Sequence, residues 1–502
     1  MMNILNDPWI PVRRTDGKHL RVNLRQFYAN AHEYDELETG NAMEEYALAR
    51  FLALFSHCVY EPHSEKDVLR LAGKGQFPVG PFIEYTRKCI GEGVTFELFD
   101  KERPFLQARP DETLDTERWK APVAKMDFVQ PSGNTPIHRS RGFEEAFSFS
   151  VEDCSIKLLA QYVFSRYKAG GYDAPPTGRV APSFFLPAGR NLFETILFSM
   201  PLADGGEDAE SPEFWRWDEV IPKRKFPQVS LRQGMIFPSR RIVLSPPQKD
   251  GRVHTCFYRP GMTVEASAEW TDDAAAYAED DGKAVRFPYE GDTASFHEAL
   301  LRSPVRLPAC LLRYHEYLRR EGREDVPCHV FVVKPKQASI YSGARRISMN
   351  IWPELPRWEG NLLILRHILS YQKVCQGVLR GAVATMFSRQ NESRSSKDYT
   401  YGNTVHAYLQ PFRKYFQNHL TDTLRKLHRE PVGSIRKAWE RIPSCYADIE
   451  AQTRAAYEAL PRPDDPFRCD RADAAIARLS QARKWQEKQD VKEQKKQEVK
   501  KK

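Results

Sequence analysis

The apolar spacing between residues 361 and 390 constrains the fold of this chain more than any other feature of its sequence. Apolar side chains recur there every three or four residues, which predicts a long helix with one wide buried stripe. The positions are Leu362, Leu365, Ile368, Leu369, Val374, Val378, Leu379, Val383 and Met386. A helix with so wide a stripe needs partner elements to cover it.

Three further helical stretches follow, and they supply those partners. They span roughly residues 404–428, 432–460 and 470–488, and prolines at 431 and within 461–466 separate them. Four amphipathic helices with short connections predict an antiparallel four-helix bundle over residues 361–488. The basic end of the chain, residues 489–502, is expected to form a disordered tail.

The chain before residue 360 has a different character. Short apolar runs such as CHVFVV (Cys328 to Val333) alternate with turn residues, and most of the 35 prolines occur here, which excludes a long helical array. Helical spacing is found in single stretches such as AMEEYALARFLALFSHCVY, beginning at Ala42. The predicted fold class is therefore α+β: a large, loop-rich mixed domain over residues 1–360, followed by the four-helix bundle.

Charge and cysteine usage limit the possible partners and locations. Residues 481–502 hold nine Lys/Arg against four Asp/Glu and thus contribute +5 of the net charge of +8. The rest of the chain is therefore nearly neutral, so an anionic ligand would have to bind there at local basic patches. Two such patches lie at 221–254 and 334–346. The nine cysteines form no CxxC pair and are expected to be free and mostly buried. Without a secretory signal or a membrane-spanning apolar run, we expect a cytoplasmic protein.

No established catalytic motif is present: there is no P-loop, GxGxxG, HExxH, GxSxG or zinc-deaminase signature. Isolated metal-ligand types occur at His254 with Cys256, and at Cys328 beside His329, but a zinc site needs four ligands. The acidic run Glu279, Asp280 and Asp281 is more typical of an exposed turn than of a cation site. The sequence favours a non-catalytic protein without a cofactor.

Three segments instead have the composition of binding surfaces. The first, residues 125–142, offers Phe128, a PSGN turn ending at Asn134, and several cations. The second, residues 165–180, contains Gly170, Gly171 and Gly178, which let a backbone approach a ligand closely. For each of these two, an ordinary surface loop remains the alternative.

The third segment is KPKQASI, residues 334–340, directly after the apolar run CHVFVV. A proline between Lys334 and Lys336 cannot continue a sheet ladder, so KPKQ is predicted to form the exposed tip of a hairpin. Gln337 would then be presented outward, flanked by cations that attract phosphates. Arg345 and Arg346 follow on the returning strand.

Several of these segments, taken in order, resemble a known family. NILNDPWIPV (3–12), RPFLQ (103–107), DFVQPSGN (127–134), and KQASI (336–340) with Arg345 and Arg346 are similar to the large subunit of the type I-E CRISPR surveillance complex Cascade, the CasA family. The resemblance covers the whole chain and implies a loop-rich N-terminal domain with a C-terminal four-helix bundle. It further implies a non-catalytic subunit that recognises the protospacer-adjacent motif (PAM) of invading double-stranded DNA.

The resemblance also implies roles for individual residues. Gln337 matches the family's wedge beside the PAM, and Lys336 takes the place of a polar PAM-contacting residue. The segment with Gly170 and Gly171 matches the family's glycine loop, while Phe128 and Asn134 lie in the segment near the PAM end and the guide RNA. Lys334, Ser339, Arg345 and Arg346 complete the expected DNA-contacting set. The implied partners are target DNA, CRISPR RNA, the other Cascade subunits and a helicase-nuclease, with no membrane.

Basic residues of the bundle are expected to hold the displaced DNA strand: Arg413, Lys414, Arg425, Lys426, Arg429, Arg436 and Lys437. Two alternatives to the DNA-recognition subunit stay open. One is a metal-dependent nuclease using Glu279, Asp280 and Asp281, or His254 with Cys256. The other is a basic helical scaffold without preference for any duplex sequence.

Overall fold

A computed structural model describes most of the chain. The described residues are 2–109, 120–128, 147–164, 183–203, 213–217, 225–264, 272–275, 277–280, 283–286, 305–323, 325–337, 340–353, 358–387 and 410–500. They divide into two compact units, one made of the described residues up to Met349 and the other of those from Asn350 onward. Within these ranges, no helix has the length and apolar character needed to cross a membrane.

The first unit mixes short strands with helices, as the sequence predicts. Its helices are α1 (Leu24–Asn30), α2 (Ala42–Tyr60), α3 (Glu65–Ala72), α4 (Val79–Gly91), α5 (Val151–Phe164), α6 (Leu192–Ser199), α7 (Leu231–Met235) and α8 (Ala309–Arg320). Its strands are β1 (Ile10–Arg14), β2 (His19–Val22), β3 (Tyr34–Leu37), β4 (Lys120–Pro122), β5 (Phe184–Pro187), β6 (Lys225–Phe226), β7 (Arg240–Leu244), β8 (Thr255–Pro260), β9 (Thr263–Val264), β10 (Tyr277–Asp280), β11 (Lys283–Arg286), β12 (Val305–Arg306) and β13 (Val326–Gln337). Strand β14 (Ile340–Ile351) leads into the second unit.

The strands form several small sheets rather than one large one. The orders are β2-β1-β3, β11-β10-β12, β14-β13-β5 and β4-β8-β7, with a parallel pair β6-β9. Local sequence explains several helix starts: Asn41 caps α2 by accepting from the Met43 amide, and Ser64 forms a capping box with Asp67 at α3. Helix α2 is buried over most of its length, so it serves as the centre on which the other elements pack.

The second unit is helical. It contains α9 (Glu359–Phe387), α10 (Gln410–Arg429), α11 (Ile435–Glu458), α12 (Pro466–Ala477) and α13 (Leu479–Lys500). Helix α9 carries the predicted stripe: Leu365, Ile368, Val383 and Met386 are buried in one core with residues of α10, α11 and α12. At its first turn, Gly360 lies so close to the Val432 carbonyl that a Cβ would come within 2.2 Å of the oxygen.

The structure differs from the sequence-based expectation for this unit in two respects. The predicted bundle of four helices is not confirmed, because the stretch expected to be one helix over 470–488 is divided at Arg478 into α12 and α13. No glycine or proline marks the break, so the sequence carries no local signal for it. Helix α13 also continues to Lys500, where a disordered tail was expected, since Lys, Glu and Gln are good helix formers.

The division between the units falls at Asn350 rather than at residue 360. The reason is visible at the end of β14, where Trp352 is 1% exposed and belongs to the core of the helical unit. The expectation for the cysteines is confirmed. All nine are free, and all except the half-buried Cys445 are buried.

Candidate nucleic-acid interface

The hairpin of β13 and β14 is fixed firmly at its base. Strand β5 pairs with β13 from Cys328 to Phe331. Val330, Phe331 and Val332 are each at most 1% exposed, so this part of β13 is covered on both faces. The apolar run CHVFVV thus forms the buried strand that its composition predicts.

Beyond this base, the hairpin continues well past its last contact with β5. Gln337, the last residue of β13, comes six positions after Phe331, which corresponds to about 20 Å of extended strand. His329 Nδ1 on β13 lies 3.0 Å from Ser348 Oγ on β14. His329 comes eight positions before Gln337, the end of β13, and Ser348 comes eight positions after Ile340, the start of β14. This register agrees with a two-residue connection at 338–339, which lies outside the described residues.

The prediction that KPKQ forms the tip requires a correction. Strand β13 runs through Pro335 to Gln337, so the tip follows Gln337. Proline is tolerated because β5 no longer pairs with β13 here, and β14 is left as its neighbour. In a strand with one neighbour, every second amide makes no ladder bond, and proline can occupy such a position. Gln337 keeps the predicted place, at the end of the hairpin.

Arg346 holds the returning strand at the level of the hairpin base. Its guanidinium donates to a carboxylate oxygen of Glu36 on β3, at 3.0 Å, and to Glu45 on α2. Burial, together with the nearby Glu36 and Glu38 carboxylates, raises the pKa of Glu45 overall, although Arg346 lowers it. For Glu36, burial is outweighed by the hydrogen bond and charge of Arg346, so the pKa is lowered overall.

These contacts give Arg346 a different role from the one expected. It stands six residues from Ile340 along β14, about 20 Å from the hairpin end, and its guanidinium is already bound to two carboxylates. Arg346 therefore anchors the hairpin rather than flanking Gln337. Arg345 is exposed and lies one residue nearer to the end.

An aromatic cluster lies behind the hairpin base and links it to both predicted loops. Tyr46 of α2 stacks on Phe184 at 4.4 Å between ring centroids, and it contacts Phe331 at 5.2 Å and Phe164 at 5.9 Å. Phe164 in turn packs edge-on against Phe128 at 6.5 Å and Phe184 at 5.8 Å. We call these five residues the aromatic anchor.

Members of the aromatic anchor border each of the predicted segments. Phe128 is the last described residue before 129–146, whereas Phe164 and Phe184 lie close to the two ends of 165–182. Phe331 belongs to the base of the hairpin. Segments that are far apart in sequence therefore begin from one packed point in the first unit.

Polar contacts hold the same point in place. Arg50, 2% exposed, donates to Asp272 Oδ2 at 2.7 Å and to the Tyr46 hydroxyl at 3.0 Å. Next to Phe128, Lys157 Nζ lies 2.6 Å from Glu44 Oε1 and 3.5 Å from Asp127 Oδ2. Burial alone would lower the pKa of Lys157, but the two carboxylates raise it overall. The cation is therefore kept charged and neutralised locally.

The remaining expected site residues are placed as follows. Phe128 is half-buried on Phe164, so at least part of its ring is used for packing. Lys334 and Lys336 lie on β13, of which the backbone is described at these positions. Gly170, Gly171, Asn134 and Ser339 lie outside the described residues.

The basic run at 221–254 is partly structural. Arg232 is 7% exposed; it pairs with Glu213 at 3.1 Å and donates to His57 Nε2 at 3.2 Å. Burial, reinforced by the charge of Arg232, lowers the pKa of His57 to about 4. Counting cations along this run therefore overstates the charge available to an anionic ligand.

The residues considered for a metal site do not come together in the described part of the chain. No group of three or more His, Cys, Asp or Glu suited to a metal is found there. His254 Nε2 is 2.7 Å from Asp250 Oδ2, while burial raises the pKa of Cys256 to about 12. Cys328 and His329 are consecutive in β13 and so face opposite sides of the strand. Asp281 lies outside the described residues.

Sequence reasoning missed Tyr46, Phe164, Phe184 and Phe331 as the residues that bring the segments together. Each lies in an apolar run that looks like ordinary core. The one available signal is that aromatic residues border both loops and the hairpin. Their mutual contact depends on long-range packing that no local pattern reports.

This geometry defines a class: a two-unit α+β protein in which a long hairpin and two loop segments begin from one aromatic anchor, with a helical unit following. Known structures share the fold. A crystal structure of CasA from Thermus thermophilus matches with a TM-score of 0.67 at 20% identity, covering 95% of this chain and 99% of that one. Cse1 of Acidimicrobium ferrooxidans matches with a TM-score of 0.69 at 18% identity, covering 96% and 98%.

Sequence comparison is more specific. The family model described as CRISPR-associated protein Cse1 matches residues 3–443. CRISPR-associated protein CasA/Cse1 of Thermus thermophilus is 30% identical over 273 residues, which is 52% of this chain and 52% of that protein. The match thus spans about half the length of that relative. The chain belongs to the CRISPR-associated protein Cse1 family, as its sequence motifs indicate.

Proposed function

We propose that this protein is the non-catalytic DNA-recognition subunit of a type I-E-like CRISPR Cascade complex. In this role it recognises the PAM of invading double-stranded DNA through the minor groove, opens the first base step and helps to recruit the helicase-nuclease. Family membership supports the assignment to Cascade. A chain of a CRISPR RNA-guided surveillance complex also shares the fold, with a TM-score of 0.63 at 14% identity, covering 95% of this chain and 99% of that one.

The observation that carries the proposal is the common origin of the three segments at the aromatic anchor. A short duplex tag offers a contact surface only a few base pairs long, so its readers must start close together. Phe164 contacts Phe128 and Phe184, which border the two loops. Tyr46 joins Phe164 and Phe184 to Phe331 of the hairpin, so the three segments meet this requirement. A buried and ion-paired base gives the hairpin the stiffness that a wedge needs.

The physics of the task matches these parts. In RNA-guided systems, pairing with the guide reads the sequence, and the protein checks only a short tag. The minor groove carries a degenerate donor and acceptor pattern, so a reader that works there tolerates several tags. Opening one base step costs roughly a few kcal/mol. A side chain inserted into the vacated stack can offset that cost without making or breaking a covalent bond.

Within this proposal, Gln337 acts as the wedge because it ends β13, about 20 Å beyond the last pair with β5. Lys334 and Lys336 bring positive charge to the same end of the strand. Gly170 and Gly171 contact the minor groove, and Asn134 with Phe128 borders the PAM end. Arg346 is assigned to the hairpin base and leaves this contact set.

Strand opening in the assembled complex tests the wedge. With guide RNA and a PAM-flanked target, Gln337→Ala should bind the duplex only mildly more weakly, but it should reduce permanganate reactivity of thymines next to the PAM. Gln248→Ala is the matched control, since Gln248 is an exposed glutamine in the β7–β8 connection. Unchanged reactivity in Gln337→Ala would remove the wedge role.

A nuclease assay separates the proposal from an enzymatic one. The purified protein, incubated with Mg²⁺, Mn²⁺ or Zn²⁺, should leave plasmid and single-stranded DNA intact. Cleavage that is lost on changing Asp280 or His254 would instead favour the metal-dependent nuclease. Equal affinity for every PAM sequence would favour the basic scaffold.

A further inference from the structure

Helix α13 is attached to the helical unit through a mainly polar face. Arg483 lies 3.4 Å from Glu450 Oε2 of α11, and Tyr446 donates to Asp490 Oδ2 at 2.7 Å. His367 Nδ1 of α9 stands 3.3 Å from the other oxygen of Asp490, which is 6% exposed. Because these bonds are directional, they fix which side of α13 faces outward.

The outward side of α13 is basic. At 3.6 residues per turn, every exposed residue between 481 and 495 falls within an arc of about 120°. Those residues are Gln481, Lys484, Trp485, Lys488, Val491, Lys492 and Lys495. We call this surface the lysine face; its four lysines extend over about 16 Å of helix axis.

The acids of the same helix whose side chains are described, between residues 481 and 495, point elsewhere. Glu487 pairs with Arg483 at 3.6 Å, Asp490 is buried against Tyr446, and Glu493 is half-buried. Among the described residues, none of the four lysines of the lysine face forms an ion pair. The positive charge there is therefore uncompensated, although the helix as a whole carries both signs.

A large aromatic side chain lies within this charge. Trp485 is 56% exposed and adjoins Lys484 and Lys488 on the helix surface. Phe467 of α12 is equally exposed, but the Arg471 guanidinium covers its ring at 4.5 Å. Trp485 has no such cover among the described contacts, so its indole is available for stacking.

We propose that the lysine face of α13 binds single-stranded nucleic acid, with the lysines on phosphates and Trp485 stacked on a base. Cationic grooves with exposed aromatic rings are the usual means of binding single strands, because every base presents a flat ring. Bases in a duplex are already stacked and would leave Trp485 unused. A membrane surface would require an apolar face, and the opposite side of α13 is packed on protein.

The inference stands apart from the proposed function, because it concerns another surface and needs neither a PAM nor Gln337. Four phosphate contacts predict a slope of about −3 for log affinity against log salt, at about 0.7 per contact. Between 50 and 200 mM salt, the contribution of the lysine face should therefore fall about fiftyfold. Stacking of one base on Trp485 should contribute about tenfold in affinity.

Fluorescence anisotropy with the full-length protein and a labelled twelve-nucleotide oligo(dT) tests these values. The variants are Trp485→Ala, Trp485→Phe, and one carrying Lys484→Gln, Lys488→Gln, Lys492→Gln and Lys495→Gln together. Phe467→Ala is the aromatic control. The charge control changes four exposed lysines of the first unit to Gln: Lys66, Lys74, Lys88 and Lys249. Circular dichroism confirms that each variant is folded.

We expect Trp485→Ala to bind about tenfold more weakly, Trp485→Phe to retain most of the affinity, and the fourfold variant to lose most of the salt dependence. Both controls should behave as wild type. Equal losses in the variants and their matched controls would overturn the inference. A different result would be a loss of affinity only in the fourfold variant, with poly-glutamate displacing the labelled oligonucleotide as well as unlabelled oligo(dT) does. That result would assign the lysine face to an acidic protein partner and would also overturn the inference.

Discussion

Replacing Arg346 should destabilise the first unit by more than its partial exposure suggests. The side chain is 26% exposed, and its partners Glu36 and Glu45 are 29% and 15% exposed. Exposed ion pairs are worth about 0–1 kcal/mol, whereas removing one partner of a buried pair costs about 3–5 kcal/mol. An intermediate loss of about 2 kcal/mol is expected for Arg346→Gln, because two half-buried carboxylates lose their shared cation.

Thermal unfolding followed by near-ultraviolet circular dichroism measures this loss as a fall in Tm of about 4 °C. Arg319→Gln is the matched control, since Arg319 is 60% exposed and pairs with Glu316 on the surface of α8 in the same unit. The control should change Tm by less than about 1 °C. Adding Glu45→Gln to Arg346→Gln should restore part of the stability.

The pH dependence gives a second test of the same reasoning. Without Arg346, the pKa values of Glu36 and Glu45 both rise, because the cation that lowered them is gone. As pH falls from 7 through about 4.3, the ordinary pKa of a glutamate side chain, protonation removes the unpaired charges in the variant. The difference between wild type and variant should therefore narrow toward low pH. A constant difference, or a Tm like that of Arg319→Gln, would refute the anchoring role.

Three other outcomes are expected. Tyr446→Phe removes a hydrogen bond to the buried Asp490 carboxylate, so hydrogen exchange should show that the free energy of opening of α13 falls by about 1.5–3 kcal/mol. Tyr415→Phe, at an exposed site, should leave that free energy unchanged. Native protein should react with a thiol reagent first at the half-buried Cys445, because the other eight thiols are buried and less accessible to the reagent; equal reaction of all nine would contradict this. Lys336→Ala should weaken PAM-duplex binding and lower the salt slope by about one phosphate contact, and an unchanged slope would exclude that contact.

Local patterns in the sequence were sufficient for the features that depend on neighbouring residues. The three-and-four spacing of α9 predicts its buried stripe, and CHVFVV predicts the buried base of β13. In each case the deciding interactions are close in sequence or follow from a single periodicity.

Features that depend on distant partners could not be predicted in this way. Arg346 looked like a free cation because Glu36 and Glu45 lie about 300 residues earlier in the chain. The aromatic anchor brings together residues as far apart in sequence as Tyr46 and Phe331. The break between α12 and α13 at Arg478 occurs without a glycine or proline nearby. These features depend on tertiary packing, which local sequence patterns do not reveal.

The central claim is that the end of the β13–β14 hairpin meets the DNA beside the PAM. A photo-crosslinking residue placed at position 337 of the assembled complex tests it most directly, with position 348, about 27 Å nearer the hairpin base, as the control. The account predicts crosslinks from 337 to the base pairs next to the PAM and none from 348. Absence of DNA crosslinks from 337, or equal yields from the two positions, would contradict it.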